Sequence, residues 1–325
     1  MLLKKNISFL KIYYIKHKKA ISLVAMLIVL AALLCFSRIR FEDLKPLISI
    51  SPQNIVLLII SSLFFRLVSG YNFKILMLFF NIRLSFKEWF GLTAISTMTN
   101  YLFPVKAGMV AQAAYLKKRH LFSYTHFLSS FIVFLIFAFL VNSFMGVILS
   151  LVSYPGKLIL ENKLFLLFSA VSLVTFIMLC SLYFMKLIRI KWHLFQRFTE
   201  GAGMFFNDRR NLFILALTQA VVVFSVSLRF LFAFWSIGIS INIVSCAIIA
   251  LIVSFSLLFS ITPANMGIKE FFVVLSSKAV GITAAQGIMV ALIDRGIDMI
   301  ASFITGGICS YLLAKDKTVA SLKSK

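Results

Sequence analysis

The sequence predicts an all-α polytopic membrane protein with about six full spans and two re-entrant helical hairpins. Hydrophobic residues make up 61% of the chain and charged residues only 13%, a composition that no soluble domain of 325 residues shows. Apolar runs near or above the ~18–20 residues that cross a bilayer recur along the chain. Two similar polar breaks, in residues 99–108 and 261–270, interrupt these runs at matching places. The breaks predict an inverted repeat of residues 53–152 and 212–311.

The charge distribution indicates a membrane rather than nucleic acid as the partner. The net charge is +23, from 33 Lys and Arg against 10 Asp and Glu. Most of the basic residues fall in short connections, where positive charge marks the cytoplasmic side and meets anionic headgroups. We therefore exclude nucleic acid. We predict a multi-pass protein of the cytoplasmic (inner) membrane with both termini cytoplasmic.

The first two spans follow from this charge rule. Residues 1–19 are rich in Lys and contain no acid, and residues 20–37 are apolar, so the first span is predicted to start inside. Residues 53–80 form a second span that returns to the cytoplasm. If the next region, 88–118, crossed the membrane once, the basic run 117–120 would lie outside, against the positive-inside rule. We therefore predict that 88–118 is a re-entrant hairpin.

The remaining elements complete the two halves. Four more apolar runs of span length follow the first hairpin: 121–152, 163–185, 211–238 and 283–313. Residues 186–210 form a basic, amphipathic connection, which is typical of a cytoplasmic interfacial helix. Residues 243–280 contain the second break and are predicted to enter from outside. The divisions of this single membrane domain are 1–52 (tail and first span), 53–152 (first repeat), 153–210 (linking span and connection), 211–313 (second repeat) and 314–325 (basic tail).

The spacing of the two breaks predicts the inverted arrangement. Pro104-x-x-x-Gly108 and Pro263-x-x-x-Gly267 lie 159 residues apart (263 − 104), and the same offset carries the spans of the first half onto those of the second. Three spans separate the two hairpins, so the hairpins enter from opposite sides. In a membrane chain, paired breaks of this kind point to a substrate site at the repeat interface.

Ionisable side chains inside the spans are the candidates for that site. Each costs at least about 2.5–3.5 kcal/mol at the centre of a helix on insertion scales, so it needs a partner, water or a function. Arg66 and Arg229 lie deep in spans with no acid within a turn, and each is predicted to pair across helices or to bind an anion. The half-helices that open at Gly108 and Gly267 add N–H donors and partial positive charge. This combination suits a phosphate.

The acidic residues of the last predicted span allow two interpretations. Asp294, Arg295 and Asp298 share a helix face, so Arg295 and Asp298 can pair three residues apart. The cluster either joins helices or, with Glu270, binds a cationic headgroup or relays protons. The full predicted headgroup site is Arg66, Asn100, Pro104, Lys106, Gly108, Arg229, Pro263, Gly267, Lys269, Glu270, Asp294, Arg295 and Asp298.

Motifs for catalysis, metal or nucleotide binding are not found in the sequence. It contains no Gly-x-x-x-x-Gly-Lys-Ser/Thr, no Gly-x-Ser-x-Gly and no Cys-x-x-Cys, and its four histidines lack metal-ligand spacing. We expect no cofactor and no metal, and we assign no catalytic residue.

The two breaks resemble motifs of a known family. The run Asn100-x-x-x-Pro104-x-Lys106-x-Gly108, followed by a basic cluster and a long apolar span, resembles the first motif of the membrane region of lysylphosphatidylglycerol synthases. The run 262–270, followed by Gly281 and Asp294-Arg295, resembles the second motif. The resemblance extends from about Leu23 to Leu313. It implies a flippase-like membrane domain that handles anionic or aminoacylated phospholipids, or polyprenyl-linked lipids.

The resemblance and the chain length together favour translocation. The soluble aminoacyl-transfer domain of the full synthases does not fit within 325 residues, so we expect movement of a lipid rather than transfer of lysine. Two alternatives stay open. One is a membrane enzyme or accessory subunit in glycolipid or cell-envelope polysaccharide synthesis, with Glu270 or Asp294 as base and a partner synthase or transferase. The other is a secondary transporter of small solutes.

Overall fold

The predicted all-α class is confirmed for the part of the chain that the structure describes. The computed structural model describes residues 50–103, 106–153, 162–185, 203–259 and 262–322. Helices account for nearly all of these residues, and no strand occurs among them. The predicted first span 20–37, Pro104 and most of the basic connection 186–210 lie outside the described residues.

Among the described residues, five helices are long and apolar enough to cross a membrane. They are α1 (Pro52–Leu78), α4 (Tyr124–Ser153), α5 (Lys163–Met185), α6 (Arg209–Ser236) and α9 (Ala284–Leu322). Each begins at, or within one turn of, the start of a predicted span. Helix α9 continues past residue 313 to Leu322, so part of the predicted tail is helical. No Gly or Pro follows Gly307 to stop the helix.

Four shorter helices flank the two breaks: α2 (Phe86–Leu102), α3 (Ala107–His120), α7 (Ile243–Ser254) and α8 (Ile268–Ala279). Helix α2 packs against α3, and α7 packs against α8. In the second break, α7 continues as a 3₁₀ helix, Phe255–Phe259, and a further 3₁₀ helix, Pro263–Asn265, precedes α8. The side-chain amide of Asn265 closes this break by donating to the carbonyl of Ser256 at 2.8 Å.

Helices α2 and α3 run antiparallel, because one carboxylate joins the start of α2 to the end of α3. Glu88 accepts hydrogen bonds from the N–H of Ser85 at 2.9 Å and from the hydroxyl of Tyr115 at 3.1 Å. Its Oε1 also lies 3.1 Å from Nε2 of His120, within hydrogen-bond distance. Burial alone would raise the pKa of Glu88, but these hydrogen bonds outweigh burial and hold its pKa below the ordinary value. The ionised carboxylate therefore holds the start of α2 next to the end of α3.

The helix contacts follow one pattern in both halves of the chain. Helix α1 packs along α6 at the centre, with α2 beside α1 and α7 beside α6. Helix α2 also packs along α9, and α7 packs against α4. Each of the two broken helix pairs, α2–α3 and α7–α8, therefore contacts the last long helix of the other half of the chain. This arrangement brings both breaks close to the α1–α6 pair, where the predicted site residues lie.

Candidate functional site

Five ionisable side chains from distant parts of the sequence meet in one cluster. They are Arg66 on α1, Arg229 on α6, Lys269 on α8, and Asp294 and Asp298 on α9. Arg66 and Asp294 are each 2% exposed, Arg229 is 3% exposed and Asp298 is 9% exposed. All five belong to the site predicted from the sequence. We refer to them as the charge cluster.

Asp298 joins four helices. Its Oδ1 accepts a hydrogen bond from Nη2 of Arg66 at 2.8 Å and lies 3.4 Å from Nη1 of Arg229. Its Oδ2 accepts a hydrogen bond from the hydroxyl of Tyr101, at the end of α2, at 2.8 Å. One carboxylate thereby connects α1, α2 and α6 to α9. Arg66 and Arg229 pair across helices, which is one of the two arrangements predicted for them.

Both oxygens of Asp294 are occupied by cations of the same chain. Nε of Arg229 donates to Oδ1 at 2.9 Å, and Nη2 of Arg229 donates to the same oxygen. Nζ of Lys269 donates to Oδ2 at 2.6 Å. Removing Arg229 would leave Oδ1 of this buried carboxylate without a partner, which is costly in a low-dielectric interior.

A second ion pair adjoins the charge cluster at the second break. Arg295 pairs with Glu270, and its guanidinium also reaches the carbonyl of Ala264 at 3.2 Å. Glu270 accepts the N–H of Gly267 at 2.6 Å, so it caps α8. The predicted pairing of Arg295 with Asp298 is wrong. Arg295 is directed toward the break, and two arginines from other helices already occupy Asp298.

Arg66 keeps two donors without a partner. All of its hydrogen bonds come from Nη2, which contacts the carbonyl of Asp298 at 2.7 Å, Oδ1 of Asp298 and the hydroxyl of Ser302 at 2.8 Å. Its Nε and Nη1 are buried and have no acceptor among the described residues. A buried, unpaired donor costs about 1–3 kcal/mol, so this position favours an added acceptor atom.

The charges of the site do not cancel. Among the described residues of the site, four cations (Arg66, Arg229, Lys269 and Arg295) face three carboxylates (Glu270, Asp294 and Asp298), which leaves a surplus of one positive charge. An uncompensated positive charge inside a membrane domain attracts an anion. The arrangement is therefore suited to hold a phosphate or another anionic group.

Three predicted residues of the first break that the structure describes, Asn100, Lys106 and Gly108, lie around the start of α3 and are not members of the charge cluster. The side-chain carbonyl of Asn100 accepts the N–H of Gly108 at 2.8 Å and closes the start of α3. Lys106 has a left-handed backbone (φ 50°), and its ammonium donates to the carbonyl of Leu257 at 3.2 Å. Lys106 thus connects the first break to the second. Pro263 is the first residue of the 3₁₀ helix Pro263–Asn265.

Several polar residues near the charge cluster were not among the sequence-predicted site. Ser302 stands one turn after Asp298, so a stripe at four-residue spacing along α9 indicates it. Tyr101 lies inside the first break, but its phenol carries no charge that a membrane domain must compensate. Uncharged side chains also form a chain of amides across three helices, in which Asn72 donates to Gln219 at 3.0 Å and Gln219 donates to Asn142 at 3.0 Å. The cost of burying a charge therefore does not indicate these residues.

Within the described ranges, no group of three or more His, Cys, Asp or Glu side chains is placed to hold a metal ion. The three carboxylates of the site, Glu270, Asp294 and Asp298, each contact at least one cation. The charged side chains of the site are therefore paired with one another rather than arranged around a metal ion.

Comparison with known proteins agrees with the resemblance of the two break motifs. A family model described as the lysylphosphatidylglycerol synthase TM region matches residues 20–306. No curated protein matches the chain. The matched range contains both breaks and every member of the charge cluster. The chain is therefore a membrane protein that belongs to the lysylphosphatidylglycerol synthase transmembrane-region family.

Proposed function

We propose that the protein is a flippase-like translocase that moves an anionic, aminoacylated or polyprenyl-linked lipid across the cytoplasmic membrane. The observation that carries the proposal is the charge cluster, which is buried, has surplus positive charge and lies where two broken helix pairs meet. Membership of a lipid-related membrane family supports the same conclusion. The acyl chains stay in the bilayer while the headgroup passes the cluster.

The phosphate of the headgroup would bind at Arg66 and Lys269. Arg66 offers two unpaired donors, and Lys269 is the most exposed member of the cluster, with 24% of its side chain accessible. A phosphate accepts hydrogen bonds from both and offsets the surplus charge. Because the sequence contains no nucleotide-binding motif, movement is passive or coupled to protons or to the membrane potential.

An enzyme that uses Glu270 or Asp294 as a base is less consistent with this geometry. Glu270 is paired with Arg295, and Asp294 is paired with Arg229 and Lys269. Each of these carboxylates is therefore held by cations of the chain and is not free to accept a proton from a substrate.

The proposed mechanism needs two re-entrant hairpins that enter from opposite faces, α2–α3 from the cytoplasm and α7–α8 from outside. Two observations support this topology. Glu88 joins the start of α2 to the end of α3, so both ends of that pair lie on one side. The helix pairs in contact within the first half also have counterparts within the second half, as an inverted repeat predicts.

Cysteine accessibility tests this topology. In a background without the native cysteines, Lys118→Cys should react with an impermeant thiol reagent only from the cytoplasmic side, and Ala279→Cys only from outside. Both positions are exposed at the ends of α3 and α8. Labelling is measured in oriented vesicles before and after permeabilisation. Reaction of both cysteines from the same side would contradict the inverted arrangement.

Lipid transport tests the function. In liposomes that contain headgroup-labelled phosphatidylglycerol, the protein should accelerate the loss of signal to an impermeant quencher. Arg66→Gln should slow this flipping about ten- to hundredfold, because the variant loses a charge-assisted donor worth about 1.5–3 kcal/mol. Lys74→Gln is the matched control. It removes a positive charge from the same helix, two turns away, at a side chain that lies over the ring of Tyr71, outside the cluster.

The outcomes separate the candidate functions. Flipping by the wild type and by Lys74→Gln, but not by Arg66→Gln, supports an anion-binding translocase. Flipping that is unchanged by Arg66→Gln would contradict a headgroup site at this cluster. If the wild type flips no lipid, the translocase proposal fails, and an accessory role beside a synthase or transferase becomes the leading explanation.

A further inference from the structure

Each carboxylate of the site already forms an ion pair with a cation of the same chain. Asp294 is bound on both oxygens, by Arg229 and by Lys269. Asp298 is likewise bound on both oxygens, by the two arginines and by Tyr101. Glu270 is held by Arg295 and by the N–H of Gly267. Among the described residues of the site, each of the three carboxylates is therefore compensated by a cation of the chain.

From this arrangement we infer that the headgroup site selects anionic headgroups and rejects those that carry an added amino group. Lys269 occupies the position on Asp294 that the ammonium of an aminoacylated headgroup would need, so it is the residue that determines headgroup specificity. The inference rests on the proposed function, because it takes the charge cluster as the place where a headgroup binds.

The location of Lys269 supports this role. Its side chain is 24% exposed, whereas the side chains of the other four members are between 2% and 12% exposed. A headgroup that enters from the accessible side therefore meets a positive charge first. A phosphate is attracted to this charge. An ammonium is repelled by it and meets no unpaired carboxylate among the described residues of the site. Discrimination by repulsion of the wrong ligand is a common source of specificity.

The unpaired donors of Arg66 point to the same class of ligand. Nε and Nη1 of Arg66 need acceptor atoms, which a phosphate supplies and an ammonium does not. A headgroup that ends in a phosphodiester and a neutral polyol, or in a phosphate alone, satisfies them without adding a positive charge. A lysyl group would add two positive charges to a site that already has a surplus of one.

Binding of short-chain lipids to the purified protein in detergent tests the inference without measuring transport. The two probes are dioctanoyl phosphatidylglycerol and its lysyl ester. The wild type should bind phosphatidylglycerol at least about tenfold more tightly than the lysyl ester, a difference of about 1.4 kcal/mol. Lys269→Gln should reverse this order, because it frees Oδ2 of Asp294 and removes the repelling charge.

Two further variants serve as controls. Lys269→Arg keeps the positive charge on Asp294 and should keep the preference of the wild type. Lys278→Gln removes a positive charge from the exposed far end of α8 and should leave both affinities unchanged. Lys269→Gln is expected to fold, since Asp294 retains both hydrogen bonds from Arg229. Gel filtration of each variant checks this.

The outcomes for selectivity and transport are independent. Equal binding of the two lipids by the wild type, an unchanged ratio in Lys269→Gln, or no binding of either lipid would overturn the inference. Selective binding of phosphatidylglycerol without flipping would refute the translocase proposal and leave the selectivity intact. Equal flipping rates for both lipids would support the translocase and refute the selectivity.

Discussion

Replacing Arg229 by Gln is expected to destabilise the protein by about 3–5 kcal/mol, because removal of one partner leaves buried charge uncompensated. Arg229 is 3% exposed and contacts both acids of the cluster. Without it, Asp294 keeps only Lys269 and Asp298 keeps Arg66 and Tyr101. The helices α6 and α9 would then lose their charged connection. Lipid transport should fail together with stability.

Thermal unfolding in mild detergent measures this effect. Cys246 and Cys309 are buried, so in a background that lacks Cys35 and the half-buried Cys180 their reaction with a fluorogenic thiol reagent reports unfolding. Arg209→Gln is the matched control on the same helix. Arg209 is exposed at the start of α6, so its replacement should change stability by no more than about 0.5 kcal/mol.

A double-mutant cycle tests the physical reason. If the cost arises from an unpaired carboxylate, Arg229→Gln combined with Asp294→Asn should be more stable than Arg229→Gln alone, because the second change removes the orphaned charge. A double variant that is less stable than either single variant would show that the cost comes from lost packing. An Arg229→Gln protein as stable as the wild type would contradict the charge cluster as a structural element.

Replacing Gly108 by Val is expected to separate α2 from α3 and to abolish lipid transport. A Cβ atom at Gly108 would lie 2.1 Å from the backbone carbonyl oxygen of Ser96, far inside van der Waals contact. Overpacking of an interior costs roughly 1–3 kcal/mol where side chains can move. Here the nearest atom belongs to the backbone of α2, so the helix itself must shift. The link from Lys106 to the second break would shift with it.

Two comparisons make this test specific. Gly307→Ala is the matched control, because a Cβ at Gly307 in α9 meets nothing within 4 Å. That change should be neutral, or stabilising by up to about 1 kcal/mol through helix propensity. Ser96→Gly should not rescue Gly108→Val, because the closest atom is a backbone carbonyl. Full transport by Gly108→Val, measured in the liposome assay, would show that close approach of the two half-helices is not required.

The sequence by itself determined the class of the fold, the positions of the long helices and the list of candidate residues. In a bilayer each spanning helix must satisfy its own backbone hydrogen bonds, so a local apolar run is enough to define it. The helices α1, α4, α5, α6 and α9 therefore begin close to where the apolar runs predict. The cost of burying charge is also local, and it identified all five members of the charge cluster. The repeat boundaries and the re-entrant topology stay predictions.

Only the tertiary structure decided which of those residues are partners. Arg66 and Asp298 are 232 residues apart in the chain, and their contact depends on the order and rotation of α1 and α9. Helical spacing paired Arg295 with Asp298, whereas the structure pairs Arg295 with Glu270 across the second break. Helical periodicity determines which residues share a face of one helix, but it does not indicate which other helix packs against that face. The partners of a buried charge are therefore set by packing between helices, which local sequence does not encode.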